Sequence, residues 1–404
     1  MAPSPLLPID EAIARMGAHL RPLASERVPL ADADGRVLAA PVSTQLTQPP
    51  ADMSAMDGYA VRHSDLLAQR PLRLIGTSRA GEPSDLAVEP GTCIRIFTGA
   101  YVPAGADTVL IQEDAEVDGD LVLATEIPPA GRHIRKAGLD FRKGDSVLQP
   151  PVRLGPAQVA LLAAMNIPEV DIHRRPRVAF FASGDELVHL GETPGKGQIV
   201  SSNSVALAAL IRRAGGIPVD LGIARDTEQS IQETAAAGRG CDLMISLGGA
   251  SVGEHDLIQP ALRARGLEVD FWRLAIRPGK PLMFGSFGGI PFIGLPGNPV
   301  SALVCATLLV EPAIGALQGL PMRHPELVMI ASAVDLKAND HRQDYLRARF
   351  DRDAEGRMLV HPFDAQDSSM LSVLAQADGL LVRPPHAPAV PRGTLVPVLR
   401  FLAG

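Results

Sequence analysis

The sequence predicts a multidomain α/β plus β protein: a central doubly wound parallel-sheet domain, an inserted β domain and a small β-barrel-like domain at the C-terminal end. Three observations lead there. Across residues 177–319, apolar runs alternate with amphipathic stretches, the pattern of parallel strands joined by helices. Across residues 45–131, and again after Pro321, short β-branched runs are separated by Gly, Pro and Asp, the pattern of short strands and tight turns. Glycine and proline, 38 and 36 of 404 residues, exceed their usual combined share of roughly 12%.

The elements follow in chain order. Ile9, Ile13, Met16 and Leu20 mark one face of an N-terminal helix. Residues 28–30 and 37–42 are short pieces around the turn Asp34-Gly35, and Pro49-Pro50 ends that block. Residues 72–76, 94–97, 108–112 and 121–124 are the strands of the inserted domain. Pro156 opens a helix over 157–165, proline being favoured in a first turn. The runs 178–182 and 243–247 read as buried parallel strands, with 217–223, 282–284 and 292–295 completing the sheet. Asn203 is expected to cap the helix carrying Leu207, Leu210, Ile211 and Ala214, which Gly215-Gly216 ends. Asp226 and Gln229 have the capping-box spacing for the next helix. The helix from Pro299 is apolar nearly all round and therefore buried. Runs at 327–331, 344–350, 358–361, 379–382 and 394–401 supply the C-terminal β domain. The expected domains are residues 1–44 with 132–176, 45–131, 177–322 and 323–404.

Composition narrows the function. A net charge of −7 with interleaved signs and no basic tail argues against a nucleic-acid partner. Any anion must then be met by a local cluster of cations. The 3 cysteines, Cys93, Cys241 and Cys305, lie in apolar stretches, form no CxxC pair, and read as small buried hydrophobes in a reducing compartment. The N-terminal stretch has no basic segment followed by an apolar one, and no apolar run is expected to approach the ~18 residues of a membrane span, so a cytoplasmic location and no membrane partner are expected. No GxGxxG follows a strand, no GxxxxGK[ST] occurs and no His spacing fits zinc, which leaves dinucleotide oxidoreductases, P-loop enzymes and zinc enzymes unsupported.

Ligands of an open parallel sheet bind where strands end and helices begin. Two such corners stand out. SLGGASVGEHD (residues 246–256) follows a buried strand; its glycines, with Ser246 and Ser251, form either a phosphate cradle or a Gly-rich turn in which Asp256 starts a helix. LPGNPVS (295–301) is either a helix start with Asn298 as cap and Pro299 first, or the same geometry aimed at an anion. Between them, Arg273, Arg277 and Lys280 put three cations in eight residues, either an anion site or a solvated basic loop. The carboxylates Asp57, Asp140, Glu186, Asp226 and Asp256 are scattered, and spacing alone does not make them converge on a metal.

In this order SAMDGYA (54–60), FTGA (97–100), SGDEL (183–187), the 246–256 segment, RPGKP (277–281) and LPGNPVS resemble the molybdopterin molybdenumtransferase family of MoeA type, itself similar to the E domain of gephyrin. The resemblance spans nearly the whole chain. It implies a homodimer of four-domain subunits, with residues 1–44 and 132–176 forming the dimer and 177–322 binding adenylyl-molybdopterin. It implies insertion of molybdate with Mg2+-dependent hydrolysis and release of AMP. Carried over by motif, Ser251 and Asp256 serve adenylate hydrolysis, and Asp57, Thr98, Asp140, Glu186 and Asp226 line the cleft, with Glu186, Asp226 and Asp256 holding Mg2+. Ser246, Gly248, Gly249, Gly253, Pro296, Gly297, Asn298 and Pro299 contact the substrate. Arg273, Arg277, Lys280 and Ser301 hold molybdate, with Arg342 and Ser368 from the C-terminal domain. The family often has lysine where Arg273 and Arg277 stand. Because Asp57 and Thr98 lie on the inserted domain, a cleft completed across the dimer is expected. The upstream adenylyltransferase and acceptor molybdoenzymes are the implied protein partners. A related adenylyltransferase would not need the 54–60 motif, whereas a non-catalytic scaffold of the gephyrin kind and a tungstate-selective paralogue remain as alternatives.

Overall fold

The structure, a computed structural model, describes residues 6–248 and 257–401. The chain divides into two compact units, one of Met1–Glu26, Gly35–Ala39 and Asp171–Gly404, the other of Arg27–Asp34 and Ala40–Val170. This division is coarser than the four blocks expected. It places the N-terminal helix Ile9–His19 with the α/β core, where Ile9, Ala12, Ile13 and Met16 are buried.

The core of the first unit is a six-stranded sheet. Its order is Ile217–Ala224, Arg177–Ser183, Leu243–Leu247, Ile290–Leu295, Met283–Phe287 and Leu267–Trp272. The first four strands are parallel, and the last two join antiparallel. The expected doubly wound sheet is therefore mixed. Gly288 and Gly289, both at positive φ, turn the chain between Met283–Phe287 and Ile290–Leu295 as a hairpin. The edge strand Leu267–Trp272 was not expected, because Glu268 and Asp270 interrupt its apolar run.

Successive side chains of a strand face opposite sides, and here both sides are covered. Phe180, Ile245, Phe284 and Ile293 join one cluster with Leu207, Leu210, Ile211 and Leu309. Their chain neighbours Phe181, Met244, Met283 and Phe292 join another with Ile231, Ala235, Ile258 and Leu262. Burial on both faces explains the unbroken apolar strands. The helical run Pro299–Leu317 passes through the first cluster. At 19 residues with mean hydropathy 1.9 it is long and apolar enough to cross a membrane, which corrects the expectation that no run approaches that length. In the fold, 78% of its apolar window is buried, as befits a core helix.

Two caps differ from expectation. Asn203 lies inside the helix Ser202–Arg213, after Ser201. The helix Glu228–Ala236 is capped by Thr227, whose hydroxyl accepts from the Ser230 N–H at 3.2 Å, and not by Asp226. The start expected at Asp256 lies outside the described residues; the next described helix is Ile258–Arg263.

The C-terminal strands close on themselves. Gln343–Arg352 pairs with both Met358–Pro362 and Gly379–Arg383, and Leu327–Ser332 and Leu395–Arg400 complete the ring. Closure removes the exposed edges of a small sheet. The short strand Ile276–Arg277 adds to Gln343–Arg352 in parallel, with Arg277 beside Asp344.

The second unit holds another six-stranded sheet, ordered Thr108–Ile111, Gly58–Val61, Thr92–Ile96, Leu72–Ser78, Leu121–Ala124 and Ala115–Asp118. Its inner strand Gly58–Val61 is buried throughout. A Cβ at Gly58 would lie 2.0 Å from the Leu110 carbonyl oxygen, so only glycine lets the neighbouring strand approach. Cys93 packs in this core, and burial pushes its thiol up to about 12. All three cysteines are free and buried, as expected.

An ion pair ties the start of the α/β sheet to its central strand. Arg174 donates Nη1 and Nη2 to the two oxygens of Asp242 at 2.7 and 2.6 Å, and the Arg177 N–H adds a bond at 2.8 Å. Burial alone would raise the Asp242 carboxyl, but these donors hold it below the ordinary value. A depressed carboxyl stabilises the fold fully above its unfolded pKa and loses that effect as pH falls through the folded one. Asp242→Asn should therefore cost about 1–2 kcal/mol at neutral pH. In urea unfolding, the gap to the wild type should close as pH falls below about 3.9. A gap unchanged into strong acid would assign the stabilisation to something other than charge.

Candidate active site

The parallel strands end at a common edge. Ser183 pairs with Ala224, Ala182 with Leu247, and Leu247 with Leu295. A cavity of about 790 Å3 opens at that edge, the volume range of small-molecule sites. Among the expected site residues, Glu186, Asp226, Gly248, Pro296, Gly297, Asn298, Pro299 and Ser301 line it.

Each is placed by a local cause. Thr227 takes the cap, so Asp226 is not spent on the helix and its Oδ1 accepts instead from the Ser183 hydroxyl at 2.8 Å. Asp185 and Asp226 exchange longer backbone-to-carboxylate bonds of 3.4 and 3.3 Å, fixing the two loops together. Glu186 is exposed and lies over Gly184, where a Cβ would stand 2.4 Å from its Oε2. Gly248 turns the chain out of its strand at φ +94°. Asn298 occupies the cap position of the helix Pro299–Cys305 without a side-chain cap bond; its Nδ2 donates to the Ser368 Oγ at 3.0 Å. The Ser368 carbonyl accepts the Val300 N–H at 3.0 Å, so Ser368 supports the helix start. Ser301, only 5% exposed, reaches the cavity from that first turn.

Ser246 is fully buried and does not line the cavity. Arg273, Arg277, Lys280 and Arg342 do not line it either, although Pro281, next to Lys280, does. Arg273 lies 4.1 Å above the Trp272 ring. Arg277 is ion-paired with Asp344 and Asp340 at 2.5 and 3.1 Å, which raises its pKa further, chiefly through the Asp344 bond. Arg342 stands 3.6 Å from Asp340. Lys280 is exposed and has no side-chain partner among the described residues. Gly249, Ser251, Gly253 and Asp256, expected as the phosphate cradle and hydrolytic residues, lie outside the described residues.

In the second unit, Asp57 Oδ1 accepts the Thr98 N–H and hydroxyl at 2.7 and 2.8 Å. The backbone bond, then the hydroxyl, holds the Asp57 carboxyl below the ordinary aspartate value. Asp140 lines a separate cavity of about 360 Å3 with Gln48, Met53, Gly99 and Arg135.

Glu186 and Asp226 are hard oxygen donors on one cavity, which suits Mg2+, an ion commonly held by one or two carboxylates together with substrate phosphates. No group of three metal-ligating side chains forms among the described residues.

Four contributors escaped the sequence reading. Ser183 stood in a quoted motif but only as a neighbour of Glu186. Asn203, read as a cap, donates Nδ2 to the Gly297 carbonyl at 2.8 Å and steadies the turn at the cavity. Ser369 lines the cavity from the C-terminal domain. Arg347, 1% exposed, fixes the segment that carries it: Nε donates to Gln366 Oε1 at 3.0 Å and Nη1 to the Asp367 carbonyl at 2.7 Å. Nothing in an alternating strand marks such an arginine.

Fold and cavity define a multidomain α/β protein with a small-molecule site at the carboxyl edge of its parallel strands. Comparison with known proteins places it further. Three family models match: the MoeA N-terminal region (domain I and II) over residues 7–166, a probable molybdopterin binding domain over 179–316, and the MoeA C-terminal region (domain IV) over 330–401. The chain is 35% identical to a molybdopterin molybdenumtransferase of Haemophilus influenzae over 98% of this chain and 99% of that one. It is 37% identical to one of Nostoc sp., covering 93% and 89%. The solved molybdopterin biosynthesis MoeA protein of Pyrococcus horikoshii matches with a TM-score of 0.84 at 28% identity, over 98% of this chain and 100% of that one. The chain belongs to the MoeA family of molybdopterin molybdenumtransferases.

The Arg347 contacts generate a prediction. Lysine keeps the charge but lacks the planar fork that spans Gln366 and Asp367. Arg347→Lys should cost about 1–3 kcal/mol in urea unfolding. An unchanged midpoint would mean that the 366–369 segment is held by other contacts.

Proposed function

We propose that this enzyme inserts molybdate into adenylyl-molybdopterin, with Mg2+-dependent hydrolysis of the anhydride and release of AMP. The observation that carries the reading is the single cavity on which Glu186, Asp226, the Gly297-Asn298 turn and Ser301 meet. The named activity of the curated relatives supports the molybdenum-transfer half.

The chain's own groups divide the work. Gly248 and Gly297 let backbone come close to a phosphate at the strand ends. Ser301 offers a hydroxyl donor there. Ser183 orients the Asp226 carboxylate by donating to Oδ1 at 2.8 Å, while Oδ2 takes only the longer Asp185 N–H bond of 3.4 Å. Mg2+ held by Glu186 and Asp226, with Asp256 as the further candidate, would neutralise charge on the anhydride. Lys280 presents a cation to the tetrahedral dianion molybdate. Asp57, Thr98 and Asp140 retain the cleft roles carried by the family motifs, and the expected homodimer belongs to this proposal too.

The direct test incubates the purified protein with adenylyl-molybdopterin, molybdate and Mg2+ and follows AMP. Wild type should release AMP, and Asp226→Asn should slow release roughly 100-fold. A wild type without AMP release, on a substrate that binds, would make the chain a scaffold. Near-normal release by Asp226→Asn would remove Asp226 from the site. The homodimer that the family motifs imply has a separate test. Sedimentation should show a particle of twice the 42.6 kDa chain mass at micromolar concentration, and a compact monomer would overturn it.

A further inference from the structure

The Asp57–Thr98 pair sits where strands of the second unit end or begin. Asp57 immediately precedes Gly58–Val61, Thr98 comes shortly after Thr92–Ile96, and Gln112 follows Thr108–Ile111. The strand Gly58–Val61 is antiparallel to both others, with Gly58 facing Ile96 and Ile111, so Asp57, Thr98 and Gln112 meet at one corner of the sheet. Arg95 occupies that corner. It faces Tyr59 across the ladder, and the alternation of side chains brings Phe97 to the same face. The guanidinium carbon lies 5.0 Å from the Tyr59 ring centroid and 5.1 Å from that of Phe97.

Each contact of Arg95 reaches a residue next to the pair. Nη1 donates to the carbonyl of Gly58, beside Asp57, at 3.3 Å, and Nη2 donates to Gln112 Oε1 at 2.6 Å. The Gln112 N–H in turn donates to the Asp57 carbonyl at 3.1 Å. Phe97 leads into Thr98, whose N–H and hydroxyl donate to Asp57 Oδ1 at 2.7 and 2.8 Å. Tyr59 is 7% exposed and packs with Val61, Leu66 and Leu110, so the guanidinium stacks on a fixed ring. Both hydrogen-bond acceptors of Arg95 are neutral. After the two Thr98 bonds, its charge also helps to hold the Asp57 carboxyl below the ordinary aspartate value. Asp57 Oδ2 has no hydrogen-bond partner among the described residues.

We propose that Arg95 is a positioning residue for the transfer reaction: its stacked guanidinium, bonded to Gly58 and Gln112, fixes the Asp57 and Thr98 segments together, so that Thr98 holds one Asp57 oxygen and the other is presented to the substrate. The inference rests on the cleft roles of Asp57 and Thr98 proposed above. Arg95 itself touches no substrate; it acts through Asp57. Lysine would supply the charge, but neither the flat face that stacks nor the fork that spans two acceptors.

Action through Asp57 has a kinetic signature. Arg95→Gln should lower kcat/KM for AMP release about ten- to a hundred-fold, the scale of a misplaced catalytic group. Arg95→Lys should fall with it. In both, kcat and KM should change in the same proportion as in Asp57→Asn. On the Asp57→Asn background, Arg95→Gln should cost less than about two-fold further, since the group it positions is already gone. A purely structural strut, or a direct substrate contact, would cost the same factor in either background.

The experiment measures AMP release from adenylyl-molybdopterin, with molybdate and Mg2+, by the full-length wild type, Arg95→Gln, Arg95→Lys, Asp57→Asn and the double variant of Arg95→Gln with Asp57→Asn. Thermal unfolding is followed in parallel. Losses in all single variants, non-additive in the double one, support the positioning role. An additive double variant, a normal Arg95→Gln or a recovery in Arg95→Lys overturns it while the molybdate-transfer reading stands. A near-normal Asp57→Asn overturns it as well, by removing the residue that Arg95 serves. A wild type that binds the substrate and releases no AMP brings down the transfer reading, and the positioning role with it. Should Arg95→Gln fail to fold, Gln112→Ala takes its place: Gln112 is exposed, and its truncation removes the 2.6 Å bond while leaving the Arg95 charge and stack. A loss that vanishes on the Asp57→Asn background then supports the proposal, and no loss, or an additive one, overturns it.

Discussion

The level at which four parallel strands stop is the constraint on which the rest of the site depends. Parallel strands need crossovers, and each crossover here begins at the same edge, so loops from distant parts of the chain converge there. Ser183, Ala224, Leu247 and Leu295 end those strands. Glu186, Asp226, Gly248 and the Gly297-Asn298 turn are each the next few residues out. Their proximity follows from the register of strands that are buried on both faces and cannot slip by one residue without moving Phe180 and Phe181 into each other's clusters. The antiparallel strand Met283–Phe287 starts at that edge as well, and Pro281, just before it, lines the cavity.

A second theme is competition for polar side chains between folding and function. Asp226, Asn203 and Asn298 all stand where a helix cap would be useful. In each case another group or none does the capping. Thr227 caps for Asp226, Ser201 precedes Asn203, and the Ser368 carbonyl takes the Val300 N–H beside Asn298. The three side chains are thereby free to point at or brace the cavity. A polar residue near a helix start is ambiguous in sequence for this reason: the N–H groups that need capping are the same groups that make the corner attractive to an anion.

What was legible in the sequence tracks how local its cause is. Strands 243–247 and 178–182, the helix after Pro299 and the barrel strands were readable, since each is a run of apolar residues bounded by Gly, Pro or charge. Gly58–Val61 was not read as a strand, because its four residues include Gly and Ala and its place is set by close packing on Leu110. Leu267–Trp272 was missed because its edge position tolerates Glu268 and Asp270. At the site, the strand-end motifs gave Glu186, Asp226 and Ser301. The supporting contacts of Arg347, Asn203 and Ser369 were illegible, since each joins residues at least 19 positions apart or in different domains.

The arginines show why residue type and motif together still fall short of role. A chain of net charge −7 that handles anions must keep its cations from being neutralised by its own carboxylates. Around the C-terminal barrel several arginines are nevertheless occupied by the protein's own acceptors. Arg277 is shared by Asp344 and Asp340, Arg347 is consumed by Gln366 and a carbonyl, and Arg383 donates to the carbonyls of Lys337 and Pro388. Arginine suits that work, since its planar fork meets several acceptors at once and loses little freedom in doing so. Lysine, a point charge on a flexible stem, makes a poor strut and a good mobile ligand for a tetrahedral anion. One short loop shows the contrast: Arg277 is shared between two carboxylates, whereas Lys280 is exposed and has no side-chain partner among the described residues.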